Sequence, residues 1–333
     1  MELILAQPRG FCAGVVRAID IVELALDVYQ PPVYVFHEIV HNRHVVDELK
    51  KRGAIFVNRI DAIPERAVTV FSAHGVPNAI VAQAEARRLQ IIDATCPLVT
   101  KVHLQCRRYA ADGYTVIIVG HLGHEEVDGT LGSFDGEAHV IATPEEVHAL
   151  TLERADKIAY VTQTTLSVDD TRDVISALKA RFPAIVGPGL DDICYATQNR
   201  QNAVRELVKT ADVLLVVGAG NSSNSNRLRE VGEQCATPSY LIEDQSQLRR
   251  EWFQPDARVA ISAGASAPEA LVQRVIERLE QWDATTTQTI AGVTETTVFK
   301  MPRGLIEAAQ AQRNGVACRS ASGCATTDHS TEG

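Results

Sequence analysis

The stretch ELILAQPRGFCAGVVRAIDIV, residues 2–22, decides the fold. Residues 2–6 read as a strand, Pro8 and Gly10 break it, and the apolar residues from Val15 onward recur at helical spacing. Cys12 stands in the turn between strand and helix. The same layout returns as IIDATCPLVTKV (91–102) around Cys96 and as LDDICYATQNRQNAV (190–204) around Cys194. Three thiol-bearing turns at near-even spacing, each ahead of a helix, suggest three similar α/β units that meet at one point.

Outward from these turns, strands and helices alternate along the chain. Further strands are expected at PVYVFHEIV (32–40), VTVFSA (68–73), TVIIVG (115–120), KIAYVTQ (157–163), VLLVVG (213–218) and VAISAG (259–264). Their apolar runs are continuous rather than alternating, as in parallel sheets covered on both faces. The fold class is therefore α/β with right-handed crossovers. The segment from 303 to 333 is rich in Ala, Ser, Thr and Gly without apolar periodicity, and reads as a disordered, dispensable tail. Cys318 and Cys324 lie in it, where a second metal site has little support.

Bulk properties remove several function classes. With 333 residues and 45% hydrophobic content, the chain can fill more than one core. Its net charge is −10 with no long basic run, which argues against general nucleic-acid binding. MELILAQP lacks the basic and apolar regions of a signal peptide, and no run is long enough to span a membrane. A cytoplasmic protein is expected, where loop cysteines serve metals or catalysis rather than disulfides.

The polar clusters gather where strands end, the edge at which open α/β sheets bind ligands. His41 closes VFHEIVHN, and His74 closes VFSAH. His121, His124 and Glu126 lie in GHLGHEEVDGT, Thr164 and Thr165 follow KIAYVTQ, NSSNSN (221–226) follows VLLVVGAG, and Ser266 lies in SAGASAPE. Cys106 and Cys235 fall inside helical patterns and read as small buried hydrophobes. Cys12, Cys96 and Cys194 sit at helix starts, where the thiolate that binds metal is favoured. Three converging thiolates fit an iron–sulfur cluster with one iron lacking a protein ligand, or a Cys₃His zinc site. The histidines, with Ser and Asn beside them, suggest an anion pocket. NSSNSN lacks the third glycine of a dinucleotide fingerprint but could cradle a phosphate at a helix start. On position alone Glu126 reads as a solvated acid in an acidic loop, with Glu125 and Asp128 as neighbours.

Together PRGFCAGV, HEIVHN, SAHGV, DATCPLVTKVH, GHLGHEEVDGT, VTQTTLSVDDT, DDICYATQNRQ, NSSNSNRL and AGASAPE resemble the 4-hydroxy-3-methylbut-2-enyl diphosphate reductase family, from Met1 to about Pro302. The resemblance implies a trefoil of three α/β domains around a [4Fe–4S] cluster held by Cys12, Cys96 and Cys194. It implies a diphosphate pocket of His41, His74, His124, Ser222, Ser223, Asn224 and Ser266. Glu126 matches the family's proton-delivering acid, Thr164 the hydroxyl beside the substrate, and His124 stands next to both. The reaction so implied removes the hydroxyl of an allylic diphosphate with two electrons and two protons. Its electron donor would be a separate ferredoxin or flavodoxin, since no flavin or nicotinamide site is visible. The expected domains are 1–96, 97–193 and 194–282, with 283–302 packing back on the first. A different three-cysteine cluster lyase or synthase, or a cluster-based sensor, would match the cysteines alone. The lyase or synthase would not need the anion pocket or Glu126, and a sensor would be expected to carry a nucleic-acid or partner module, of which none is visible.

Overall fold

The computed structural model describes residues 1–152 and 156–322. Strand β1 (Glu2–Leu5) leads through the Cys12 turn into α1 (Ala13–Tyr29). Next come β2 (Val33–Phe36), α2 (Arg43–Lys51), β3 (Ala54–Val57), β4 (Val68–Phe71), α3 (Asn78–Ala86) and β5 (Gln90–Asp93). The Cys96 turn opens α4 (Pro97–Ala111), followed by β6 (Thr115–Val119), α5 (Glu125–Leu131), β7 (Ala138–Ile141), α6 (Pro144–Ala149), β8 (Ile158–Thr162) and α7 (Val168–Arg181). The Cys194 turn opens α8 (Tyr195–Val208), ahead of β9 (Val213–Val217), α9 (Ser223–Gln234), β10 (Ser239–Ile242), β11 (Arg258–Ala263), α10 (Glu269–Glu280) and β12 (Thr286–Thr289). Helix α11 (Arg303–Ser322) comes last.

The strands form three sheets, ordered β3-β2-β4-β5, β7-β6-β8 and β10-β9-β11-β1-β12. Every strand pair among the described residues is parallel. The continuous apolar runs TVIIV and VLLVV become β6 and β9, interior strands buried along their whole length. That is what a strand covered on both faces requires.

Strand pairing corrects the expected domains. Residues 1–96 do not form one unit, because β1 lies in the third sheet between β11 and β12. Part of 283–302 likewise joins that sheet as β12, while Met301 further on packs against the α1 core. Which sheet a strand joins depends on partners hundreds of residues away, which a local pattern does not encode.

The strand expected over 32–40 stops at Phe36. His37 takes a left-handed φ of 62°, and the chain turns there. His41 therefore sits in the loop before α2, whose N-cap Asn42 accepts a hydrogen bond from the Val45 amide.

The tail needs a larger correction, since residues 303–322 are helical. Leu305 and Ala309, one turn apart, are 3% and 6% exposed, and Leu305 belongs to the core built on α1. An Ala-rich run has high helix propensity, and this narrow stripe suffices to dock it. Cys324 and the Cys318 side chain lie outside what the structure describes. Cys106 is buried as expected, but Cys235 ends α9 exposed.

Candidate active site

Cys12, Cys96 and Cys194 are the N-cap residues of α1, α4 and α8, and none of them uses its side chain to cap. An oxygen-bearing N-cap would turn back to the helix amides. A thiol is a poor acceptor and stays available to a ligand. All three line one cavity of about 700 Å³, measured out to its mouth. Gly14 shows how near two of them come, because a Cβ there would lie 2.8 Å from the Cys96 Sγ and 3.8 Å from the Cys12 Sγ. Only glycine leaves that space open.

Burial pushes the Cys96 thiol up to about 12 and the Cys194 thiol up to about 11, and charge on the neighbouring thiols adds to both shifts. At neutral pH these groups would be protonated unless a cationic centre compensates three thiolates. Spacing bears on the two centres left open by the sequence. Zinc–sulfur bonds of about 2.3 Å would hold the sulfurs within roughly 4 Å of each other. Among the described residues, the only three ligand atoms within 4.8 Å of one another belong to His41, His74 and Glu125. The cysteine trio is wider than one ion can gather, and suits a centre with a separate metal for each thiolate.

Three histidines form the opposite wall. His41 and His74 stack with ring centroids 4.1 Å apart, and His124 stands edge-on to both at 5.6 and 6.1 Å. His124 caps α5 and accepts the Glu126 amide on Nδ1 at 3.1 Å, which assigns its proton to Nε2. Burial, with His74 and His41 close by, brings His124 down to about 3, so it is neutral. Its Nε2 is buried without a partner, a donor awaiting an acceptor. His121, placed by the sequence at the same strand end as His124, does not line the cavity.

The third wall is the start of α9. Ser222 caps the helix by accepting the Ser225 amide, and Asn224 accepts the Ala265 amide at 3.0 Å. Ser223 accepts from the Thr165 hydroxyl at 3.0 Å, and the Ser266 hydroxyl donates to the His41 carbonyl at 2.9 Å. Among the described residues, no lysine or arginine lines the cavity. An anion here would be met by neutral donors and a helix start.

Glu126 is 4% exposed. Its Oε1 accepts the Thr164 amide at 2.6 Å and its Oε2 the Thr164 hydroxyl at 3.0 Å. Burial raises it to about 7, against the pull of the Thr164 bonds and His41. It therefore holds and releases a proton near neutrality.

All twelve residues expected from the sequence line this cavity. Two others were missed. Glu125 is no solvated neighbour, since its carboxylate lies 2.9 Å from His74 Nδ1 and 3.6 Å from His37 Nδ1. Burial opposes its charge, but His74, with His41 and His37, holds it at about 2. Thr197 is 1% exposed, with its hydroxyl 3.2 Å from the Cys194 Sγ. The spacing Cys194-x-x-Thr197 at a helix start could have revealed it.

Comparison with known proteins gives the family. The LytB protein family model matches residues 3–280. The chain is 54% identical over 316 residues to a 4-hydroxy-3-methylbut-2-enyl diphosphate reductase from Acidithiobacillus ferrooxidans, covering 95% of this chain and 100% of that protein. It is 57% identical over 305 residues to a 4-hydroxy-3-methylbut-2-enyl diphosphate reductase 2 from Bradyrhizobium diazoefficiens, covering 92% and 99%. Among solved structures, the E-1-hydroxy-2-methyl-but-2-enyl-4-diphosphate reductase from Plasmodium falciparum superposes with a TM-score of 0.89 at 34% identity, over 94% of this chain and 99% of that one.

Proposed function

Since the chain belongs to the LytB protein family, we propose that it reduces (E)-4-hydroxy-3-methylbut-2-enyl diphosphate to isopentenyl and dimethylallyl diphosphate in the cytoplasm. The substrate's C–O bond breaks, the oxygen leaves as water, and two electrons and two protons are consumed. A [4Fe–4S] cluster held by Cys12, Cys96 and Cys194 would supply those electrons and a Lewis-acidic iron when bound. The electrons enter from a separate carrier such as a ferredoxin or flavodoxin. One observation carries the reading: three widely spaced thiols, a lysine-free anion wall and a carboxyl near neutrality line a single cavity.

The chain's own residues divide the work. His41, His74, Ser222, Ser223, Asn224 and Ser266 receive the diphosphate, and His124 adds its unpaired Nε2–H. Protonated Glu126 holds its proton toward Thr164 Oγ1, whose hydroxyl is then free to donate to the leaving oxygen. Apolar Val15, Val40, Leu98 and Val99 exclude water beside the thiols.

Anaerobic turnover of the allylic diphosphate with a strong reductant, alongside iron counting, tests the proposal. Reconstituted protein should make both products, and Ser at any of the three cysteines should lower iron content and abolish turnover. A Cys194→Ser variant with full iron, or reconstituted protein without turnover, would overturn it.

A further inference from the structure

Each cysteine-capped helix carries one cation that reaches the next cysteine's loop. On α1, Arg17 stands five residues after Cys12, and its Nη1 donates to the carbonyls of Ala94 at 3.2 Å and Thr95 at 3.0 Å, just ahead of Cys96. On α4, Lys101 stands five residues after Cys96, and its Nζ donates to the Asp191 carbonyl at 2.9 Å and meets Asp192 Oδ1 at 3.2 Å, just ahead of Cys194. On α8, Arg200 stands six residues after Cys194, and its Nη2 donates to the carbonyls of Gly10 at 2.7 Å and Phe11 at 3.3 Å, just ahead of Cys12. The circuit closes on itself.

We infer that Arg17, Lys101 and Arg200 form a ring of positioning residues that sets the spacing of the three thiols and so retains the metal centre. The inference rests on the cluster reading above. Helix side chains lean toward the N-terminus, so a long cation one and a half turns along points back to the plane of its own cysteine. From there it reaches the loop beside it. Each cysteine amide is anchored beside its own strand end, Cys12 to the Ala265 carbonyl at 3.2 Å, Cys96 to Ala73 at 3.0 Å and Cys194 to Thr164 at 3.0 Å. Those anchors hold each loop locally, and the three cations tie the loops to one another.

Two of the cations are braced in turn by the segment after β12. Arg17 Nε donates to the Lys300 carbonyl at 2.8 Å, and Arg200, fully buried, meets both carboxylate oxygens of Glu295 at 3.0–3.2 Å. A buried arginine with this many acceptors is costly to leave half-satisfied. Its place at the Cys12 loop shows where that cost is spent.

The test uses Arg17→Gln, Lys101→Gln and Arg200→Gln in the full chain, reconstituted anaerobically. Iron per chain and the rate of iron transfer to a colorimetric chelator are measured, with the melting temperature of each metal-free protein. Arg205→Gln, on α8 but paired with Asp169 instead, is the control. Loss of a partner that orients metal ligands typically costs about 10–100-fold in metal affinity, so each ring variant should release iron about ten-fold faster or more. Arg205→Gln should match the native chain, and Lys101→Arg should restore most of the retention. If Arg200→Gln fails to fold, the half-exposed Lys101 and Arg17 carry the test. Native release rates in both Lys101→Gln and Arg17→Gln would overturn the ring. A native chain that takes up no iron would overturn the cluster reading, and the ring with it.

Discussion

Glu126 illustrates what a single residue's surroundings do. Its neighbours in sequence, Glu125 and Asp128, make it look like one acid among several. Yet α5 turns it inward, and burial lifts it to about 7 while Glu125 falls to about 2. One of two adjacent carboxyls thus keeps its proton up to about neutrality while the other is ionised, the separation that assigns acid and anion roles. Turnover should fall as pH rises past about 7, where Glu126 loses its proton. Because its folded value lies above its unfolded one, its contribution to stability is complete below about 4.5 and is lost as pH rises through about 7. Glu126→Gln should keep its iron, lose about 10²–10⁴-fold in turnover, and show a flatter stability profile across that window. Near-native turnover with full iron would remove Glu126 from the chemistry. The cysteines and histidines were legible in the sequence because turn chemistry surrounds them. Arg17, Lys101 and Arg200 were not, since a cation on a helix looks solvated until its distant carbonyls are known.

At the scale of elements, legibility mostly followed apolar content, although the wholly apolar β3 (AIFV) was not among the strands expected. The fully buried β6 and β9 announced themselves, whereas β5 (QIID) and β10 (SYLI) hold only two and three apolar residues and β12 (TTQT) none. They are strands because an edge was waiting for them, and pairing supplies what their side chains do not. Helix α11 escaped for a related reason. Its docking stripe is little more than Leu305 and Ala309, too narrow to register as periodicity. That stripe nevertheless rests on α1, the helix that Cys12 caps. Leu305→Ala should cost roughly 2–5 kcal/mol in a denaturant titration, as other buried leucine truncations do. The exposed Gln310→Ala one turn further should stay within about 0.5 kcal/mol. Equal midpoints for the two variants would mean that α11 adds nothing, as a dispensable tail would.

For the whole molecule, three parallel sheets and a shared ligand edge were readable from alternation and turn placement. The wiring of β1 was not. It pairs with β11 on one side and β12 on the other, so its ladder joins the two ends of the chain. A chain ending at residue 284 should leave β1 as a bare edge, with a lower melting temperature and a smaller soluble fraction than the full chain. Native values for both would show that β12 is incidental. The same ladder sets a timetable. Ribosomes add about 5–20 residues per second, so β1 waits roughly 15–60 seconds after its own synthesis for the last partner strand to be made. The Cys12 turn hangs from a strand that has no partner until β11 is made and only one until β12 follows. The Cys96 turn, whose four-stranded sheet is local, can be built early. The thiol that is translated first thus waits for strands made late in synthesis, and the proposed metal centre can be assembled only after they are in place.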